Sequence, residues 1–237
     1  MPLPTITTPT YTLVIPSSGK KITYRPFLVK EEKVLVMAME SDDMDQVGRA
    51  IKDVLSACIT TRGIRVEKLS TFDIEYLFLN VRGKSVGESI EVLVTCTDDG
   101  ETKVPLTVSI DEIKVKENPE HNKDIKLDEN LTLRMRYPSL SEFVAQNFGE
   151  GNNVEASFDV IASCIEMIFT DEETWSAKDH SKKEWLKFVE TIPTSSFKQV
   201  ETFFNTMPKL THTVKVLNPK TGVENEVVLE GLSAFFS

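Results

Sequence analysis

Cysteine is scarce in this chain. Cys58, Cys96 and Cys164 are its only three, widely separated and odd in number. That usage excludes a disulfide framework and points to free thiols in a reducing compartment. Histidine is equally rare: His121, His180 and His212 form no H-E-x-x-H or comparable ligand spacing, so each reads as a lone surface residue. No stretch approaches the roughly 20 apolar residues needed to span a bilayer. The start, Met1-Pro2-Leu3-Pro4-Thr5, has neither the basic nor the apolar region of a signal peptide, and the expectation is cytoplasmic synthesis. Basic residues are outnumbered, 27 Lys and Arg against 37 Asp and Glu, giving a net charge of −10. They are also interspersed with acids, which argues against a non-specific nucleic-acid binder.

What is present describes a globular protein: 237 residues, 40% hydrophobic and 27% charged. That length suits one large domain or two small ones. The chain is organised around Asp53-Val54-Leu55-Ser56-Ala57-Cys58-Ile59 and its echo, Asp159-Val160-Ile161-Ala162-Ser163-Cys164-Ile165. Around each the same order can be read. In the first half, strands flank Pro16-Ser17-Ser18-Gly19, Pro26 follows, and Val29–Glu40 predicts a helix with Leu28, Leu35 and Met39 on one side. A second helix over about 43–60 carries the core stripe Val47, Ile51, Leu55, Cys58 and Ile59. Ser70-Thr71-Phe72-Asp73 opens a third helix to about Val81, and Arg82–Gly87 reads as a polar loop. Strands over 89–96 and 101–110, joined across Asp98-Asp99-Gly100, close the half.

After a charged connector over 111–124 the order begins again. A hairpin crosses Asp128-Glu129-Asn130, Pro138 follows, and Ser139-Leu140-Ser141-Glu142 opens a short helix to about Phe148. The second striped helix carries Phe158, Ile161, Ile165, Ile168 and Phe169. An insertion over 170–183 is polar apart from Trp175; Ser181-Lys182-Lys183-Glu184 then caps a helix with Trp185. Ser195-Ser196-Phe197 to Phe203-Phe204-Asn205 matches Ser70-Thr71-Phe72 to Phe78-Leu79-Asn80, and a final hairpin crosses Asn218–Gly222. The fold class expected is α+β, two divergent repeats at 1–117 and 118–237, each a hairpin, about three helices and a closing hairpin.

No constellation of catalytic chemistry emerges. Ser17-Ser18-Gly19-Lys20 and Gly83-Lys84-Ser85 lack the first glycine of a phosphate loop, and no serine sits in a G-x-S-x-G elbow. Asp171, Glu173 and His180 could form a hydrolytic cluster, but helix-capping acids in a solvated insertion explain them more simply. Cys96 stands where a zinc knuckle places its first ligand, yet the turn Thr97-Asp98-Asp99-Gly100 holds no second cysteine. The expectation is no catalytic residue, no cofactor and no metal.

The run Pro16-Ser17-Ser18-Gly19-Lys20-Lys21-Ile22-Thr23-Tyr24-Arg25-Pro26-Phe27-Leu28-Val29-Lys30-Glu31-Glu32-Lys33 resembles the opening of a family of T-even-type bacteriophage baseplate proteins. Phe72-Asp73-Ile74-Glu75-Tyr76-Leu77-Phe78-Leu79 and Leu229-Glu230-Gly231-Leu232 resemble it too. The family contains a baseplate hub subunit and a hub assembly protein. The resemblance implies a late protein without enzymatic activity that joins or assists assembly of the hub of a contractile tail. Its partners would be other hub proteins, met in the cytoplasm of the infected host or in the virion baseplate. A nucleic-acid-binding accessory protein is the remaining alternative. Such work needs apolar or aromatic contact surfaces. The candidate partner-binding residues are Trp175, Trp185, Leu232, Phe235 and Phe236. Packing on the protein's own core is the competing reading for each.

Overall fold

Tyr11–Val14 (β1) and Lys21–Tyr24 (β2) are short, β-branched and aromatic, and they pair antiparallel with Leu13 opposite Ile22. The computed structural model describes residues 6–41, 43–142, 154–231 and 234. Within them the fold is mixed α and β, and the chain divides into two compact units. Unit one is Met1–Lys116 together with Lys209–Ser237; unit two is Glu117–Pro208.

In unit one the first hairpin leads into α1 (Val29–Met39) and α2 (Met44–Cys58). Val47, Ile51, Leu55 and Cys58 bury the expected stripe of α2, whereas Ile59, also expected on it, lies past the helix end, partly buried in a bridge to Tyr24. On α1 the buried line is Glu31, Leu35 and Ala38, spaced i, i+4, i+7. Met39, expected beside Leu35, is turned outward, because anchoring Glu31 inward rotates the helix about its axis. Next, α3 (Thr71–Val86) is longer than expected. Of the segment 82–87, expected as a loop, residues 82–86 complete the helix and Gly87 caps it. Gly83 lets the helix pass close to Ile110, whose Cδ1 would lie 2.7 Å from an added Cβ. Ser85 Oγ bonds back to the Val81 carbonyl and accepts from the Phe27 N–H at 2.9 Å. Asp73 stands where a capping box usually has Glu because it serves two turns: it accepts from Ser70 N–H and from Ser17 N–H in the β1–β2 turn. A hairpin of β3 (Ser89–Thr95) and β4 (Lys103–Ser109) follows, burying Ile90, Val92 and Val94 on one face. The connector then contributes a strand, β5 (Lys114–Lys116).

Unit two opens on β6 (Asp124–Lys126) and β7 (Thr132–Met135), with Ile125 opposite Leu133. The expected helix end near Phe148 and the loop after it lie outside the described residues. From Val154–Ser163 (α4) the chain does not continue as helix: Ile165–Phe169 is a strand, β8, paired with β7. Its β-branched residues find Leu133 and Met135 across the ladder, and that tertiary pairing overrides the helical spacing. The insertion is therefore the return of a hairpin, β9 (Thr174–Ser176), in a sheet ordered β6-β7-β8-β9. Lys182–Thr191 (α5) starts from the expected capping box, Ser181 N–H donating to Glu184 at 2.7 Å. Thr194–Thr206 (α6) follows, and the Ser196 hydroxyl donates to the Leu127 carbonyl at 2.8 Å. Ile125, Leu133, Ile168, Trp185, Val200 and Phe203 are part of the core.

The chain then returns to unit one as β10 (Lys209–Leu217) and β11 (Glu224–Glu230). Here β10 lies between β11 and β5, with Leu210 opposite Val115 and Lys209 opposite Lys116. The compact units thus differ from the expected sequence halves, since this long-range pairing returns the closing hairpin to unit one. The tips of its two closing hairpins interlock. Asn225, 4% exposed, accepts through Oδ1 from Thr97 N–H, Thr97 Oγ1 and Asp98 N–H, each at 2.9 Å. Asn218 Nδ2 donates to Asp98 Oδ1 at 2.9 Å. Replacing Asn225 with Ala leaves three donors without their acceptor and should cost unit one about 2 kcal/mol in urea unfolding.

Candidate interaction surfaces

Each unit contains the same three-part clamp. In unit one, Arg25 leaves β2 with its N–H bonded to the Cys58 carbonyl at 2.9 Å, tying the hairpin to the end of α2. Its guanidinium reaches Glu31 Oε1 at 3.0 Å and the Pro26 carbonyl at 2.8 Å. Glu31 in turn accepts from Leu28 N–H at 2.6 Å, capping the first turn of α1. In unit two, Arg136 N–H bonds the Cys164 carbonyl at 2.7 Å and its guanidinium reaches Glu142 at 3.0 Å and the Tyr137 carbonyl at 2.9 Å. Glu142 accepts from Ser139 N–H at 2.8 Å. The strand that enters each clamp also pairs with the residue after the cysteine, Tyr24 with Ile59 and Met135 with Ile165. Sequence reading found the cysteines but missed their partners. The signal was available: Arg25 and Glu31, like Arg136 and Glu142, stand six residues apart.

Electrostatics make the clamps structural. Burial works to raise the pKa of Glu31, but hydrogen bonds from Arg25 and Leu28 outweigh it and hold the carboxyl below its usual range. In Glu142 the same opposition, with Ser139 and Arg136 as donors, leaves a pKa of about 2. Burial pushes the Cys58 thiol up to about 11 and the Cys164 thiol to about 12, the opposite of what a nucleophilic or metal-binding thiolate needs. Cys96 is also buried, and burial raises its pKa. Where a knuckle would hold metal, its turn makes hydrogen bonds to Asn218, Thr221 and Asn225. Among the described residues no group of three potential ligands comes together.

Nor do the residues of the imagined hydrolytic cluster share an ion pair. His180 lies 3.9 Å from Glu184 and edge-on to Trp185, whereas Asp171 and Glu173 are exposed in the β8–β9 turn. His121, expected as a lone surface residue, is packed instead: Nδ1 is 3.0 Å from Thr206 Oγ1, and the ring stacks on Tyr137 and contacts Phe203. Nothing local in the charged connector announces those contacts, which come from Tyr137, just past β7, and from α6.

Of the candidate partner-binding residues, Trp185 is 6% exposed and belongs to the core of unit two. Its helix turns the ring inward beside Val189, so it offers no free surface. Trp175 is half-buried on edge strand β9, against that core. Leu232, Phe235 and Phe236 lie outside the described residues. Among the described residues, several exposed large apolar side chains cluster on and just before α1. Val29 is 80% exposed, Met37 58% and Met39 60%, with Leu28, Val34 and Val36 also open. These side chains stand among exposed Lys30, Glu32 and Lys33, and apolar area left uncovered in this way suits contact with a partner. The low sequence contrast between the faces of α1 was the available signal.

The clamp in unit two should make stability acid-sensitive. Because the folded pKa of Glu142 lies below the ordinary value of 4.5, its contribution is fully present above that value and lost as pH falls towards about 2. A shift of this size corresponds to roughly 3 kcal/mol. Urea unfolding followed from pH 6 to pH 2.5 should lose much of that amount in the native protein, and Glu142→Gln should flatten the dependence.

Among the described residues, no helix is long and apolar enough to cross a membrane. No match was found among curated proteins or solved structures. The family model described as T4 bacteriophage base plate protein matches residues 8–237, which contain both clamps and the apolar face of α1. The chain belongs to the T4 bacteriophage base plate protein family.

Proposed function

We propose that this protein is a non-enzymatic assembly factor for the hub of the tail baseplate, acting through contacts with other baseplate proteins in the infected cell. The observation that carries this reading is the outer face of α1. Burying even half of its apolar side chains on a partner would contribute several kcal/mol at about 25 cal/mol per Å². Met37 and Met39 add unbranched, adaptable side chains, which suit a surface that binds and then releases. Trp175, partly buried on β9 of unit two, is a separate candidate contact, as tryptophan is enriched where interfaces concentrate their energy. The repeated clamp, Arg25–Glu31–Cys58 and Arg136–Glu142–Cys164, supports the further reading that the chain arose by duplication.

Mass spectrometry of purified tails beside infected-cell lysate tests the role. Detection in lysate and not in tails is the result expected of an assembly factor. A fixed ratio to other hub proteins in finished tails would make it a structural subunit. The contact surface has its own test. Val36→Lys with Met37→Lys places two charges on exposed positions and should leave the unfolding midpoint nearly unchanged. The same variant should lower the yield of infectious particles at least tenfold in a complementation assay. Full complementation would remove α1 as the contact surface.

A further inference from the structure

The protein's acidity is not evenly spread. Unit two holds 17 acidic and 9 basic residues, a net charge of −8, which leaves −2 for the larger unit one. Its sheet is also one-sided. Ile125, Leu133 and Ile168 point to the helices, and on the opposite face the ladder places Arg134 beside Met167 and Thr132 beside Phe169. The helix-facing core does not include Met167 or Phe169, and both are only partly buried.

This open face is pre-organised. Arg134 is gripped by Asp124 through two hydrogen bonds at 2.6 and 2.7 Å, and its guanidinium lies 5.4 Å from the centre of the Phe169 ring. The arginine charge is thereby paired, and its guanidinium is held over an aromatic ring. Arginine, methionine and phenylalanine are the residue types that enrich at interface centres. The rim at one end is mostly acidic, with Lys126 its one basic member among the described residues. Thr132 pairs with both Lys126 and Phe169, so the β6–β7 and β8–β9 turns lie at the same end of the sheet. Those turns carry Asp128, Glu129, Asp171, Glu172 and Glu173, all exposed, and no lysine or arginine. Among the described residues none of the five makes an ion pair with a basic side chain.

We infer that the open sheet face of unit two is a docking surface for a basic-rimmed protein, a baseplate component distinct from this chain. The sign of the charge selects the occupant. A second copy would bring another body of net charge −8 against this one, and a nucleic acid would bring more negative charge. A lysine- and arginine-rich rim around an apolar centre gains attraction from the acidic turns and burial from Met167 and Phe169. The inference rests on the reading of the protein as a baseplate assembly factor and adds a second contact surface to α1.

The test uses the full chain, expressed during infection in place of the native copy, with a photo-cross-linking phenylalanine derivative at Met167, Met37 or Leu93. Leu93 is an exposed reference position in unit one. The expected result is a Met167 adduct with a baseplate protein through a lysine- or arginine-rich peptide, at least fivefold above the Leu93 yield. Converting Asp171, Glu172 and Glu173 together to lysine should cut that yield about fivefold, whereas the Met37 adduct should be unchanged. An adduct at Met37 without one at Met167 overturns the inference and leaves the proposed function standing. An adduct between two copies through Met167, or a yield indifferent to the lysine triple, overturns it as well. Absence of adducts at both positions overturns the inference and the proposed function together.

Discussion

The arginine that leaves each entry hairpin is the constraint on which the rest of the structure depends. Its backbone N–H fastens the strand to the end of a helix, and its guanidinium fastens the start of another through a glutamate. One residue thus fixes the relation of three elements. A partly buried ion pair of this kind is costly unless its remaining hydrogen bonds are satisfied. Here they are, since both arginines also bond a following carbonyl and both glutamates cap a backbone N–H. The adjacent cysteine is a small apolar filler whose thiol stays protonated because charge is expensive where it sits.

From those two fixed points the remaining architecture is built by pairing over long sequence distance. Lys116 and Lys209 lie opposite each other at the end of the β5–β10 ladder, so unit two leaves and re-enters unit one through neighbouring strands. The interlocked hairpin tips close unit one in the same manner, with residues near 97 and 225 joined by direct hydrogen bonds. Such contacts leave α1 free of any need to face inward on more than one side. Its exposed valines and methionines are then surplus to folding, which is the physical ground for assigning them to a partner.

The two proposed surfaces would rely on different forces. Unit one is nearly neutral and offers apolar area, which drives association without direction. Unit two carries most of the negative charge, which would favour encounter with a basic partner.

By itself the sequence determined the hairpins, the core stripe of α2, the capping boxes at Ser139 and Ser181, and membership of a baseplate family. Each is a local pattern read within one turn or one strand, or a run of matching residues. It also determined that the charge is negative. Tertiary structure decided that Ile165–Phe169 is a strand, because the partners Leu133 and Met135 lie some 30 residues earlier. It decided that residues 82–86 are helical, because Gly83 meets Ile110 and Ser85 meets Phe27. Burial of Trp185 and exposure of Met39 were decided there too. A periodic pattern says which residues share a face, but only the position of the neighbouring elements says which face is inside.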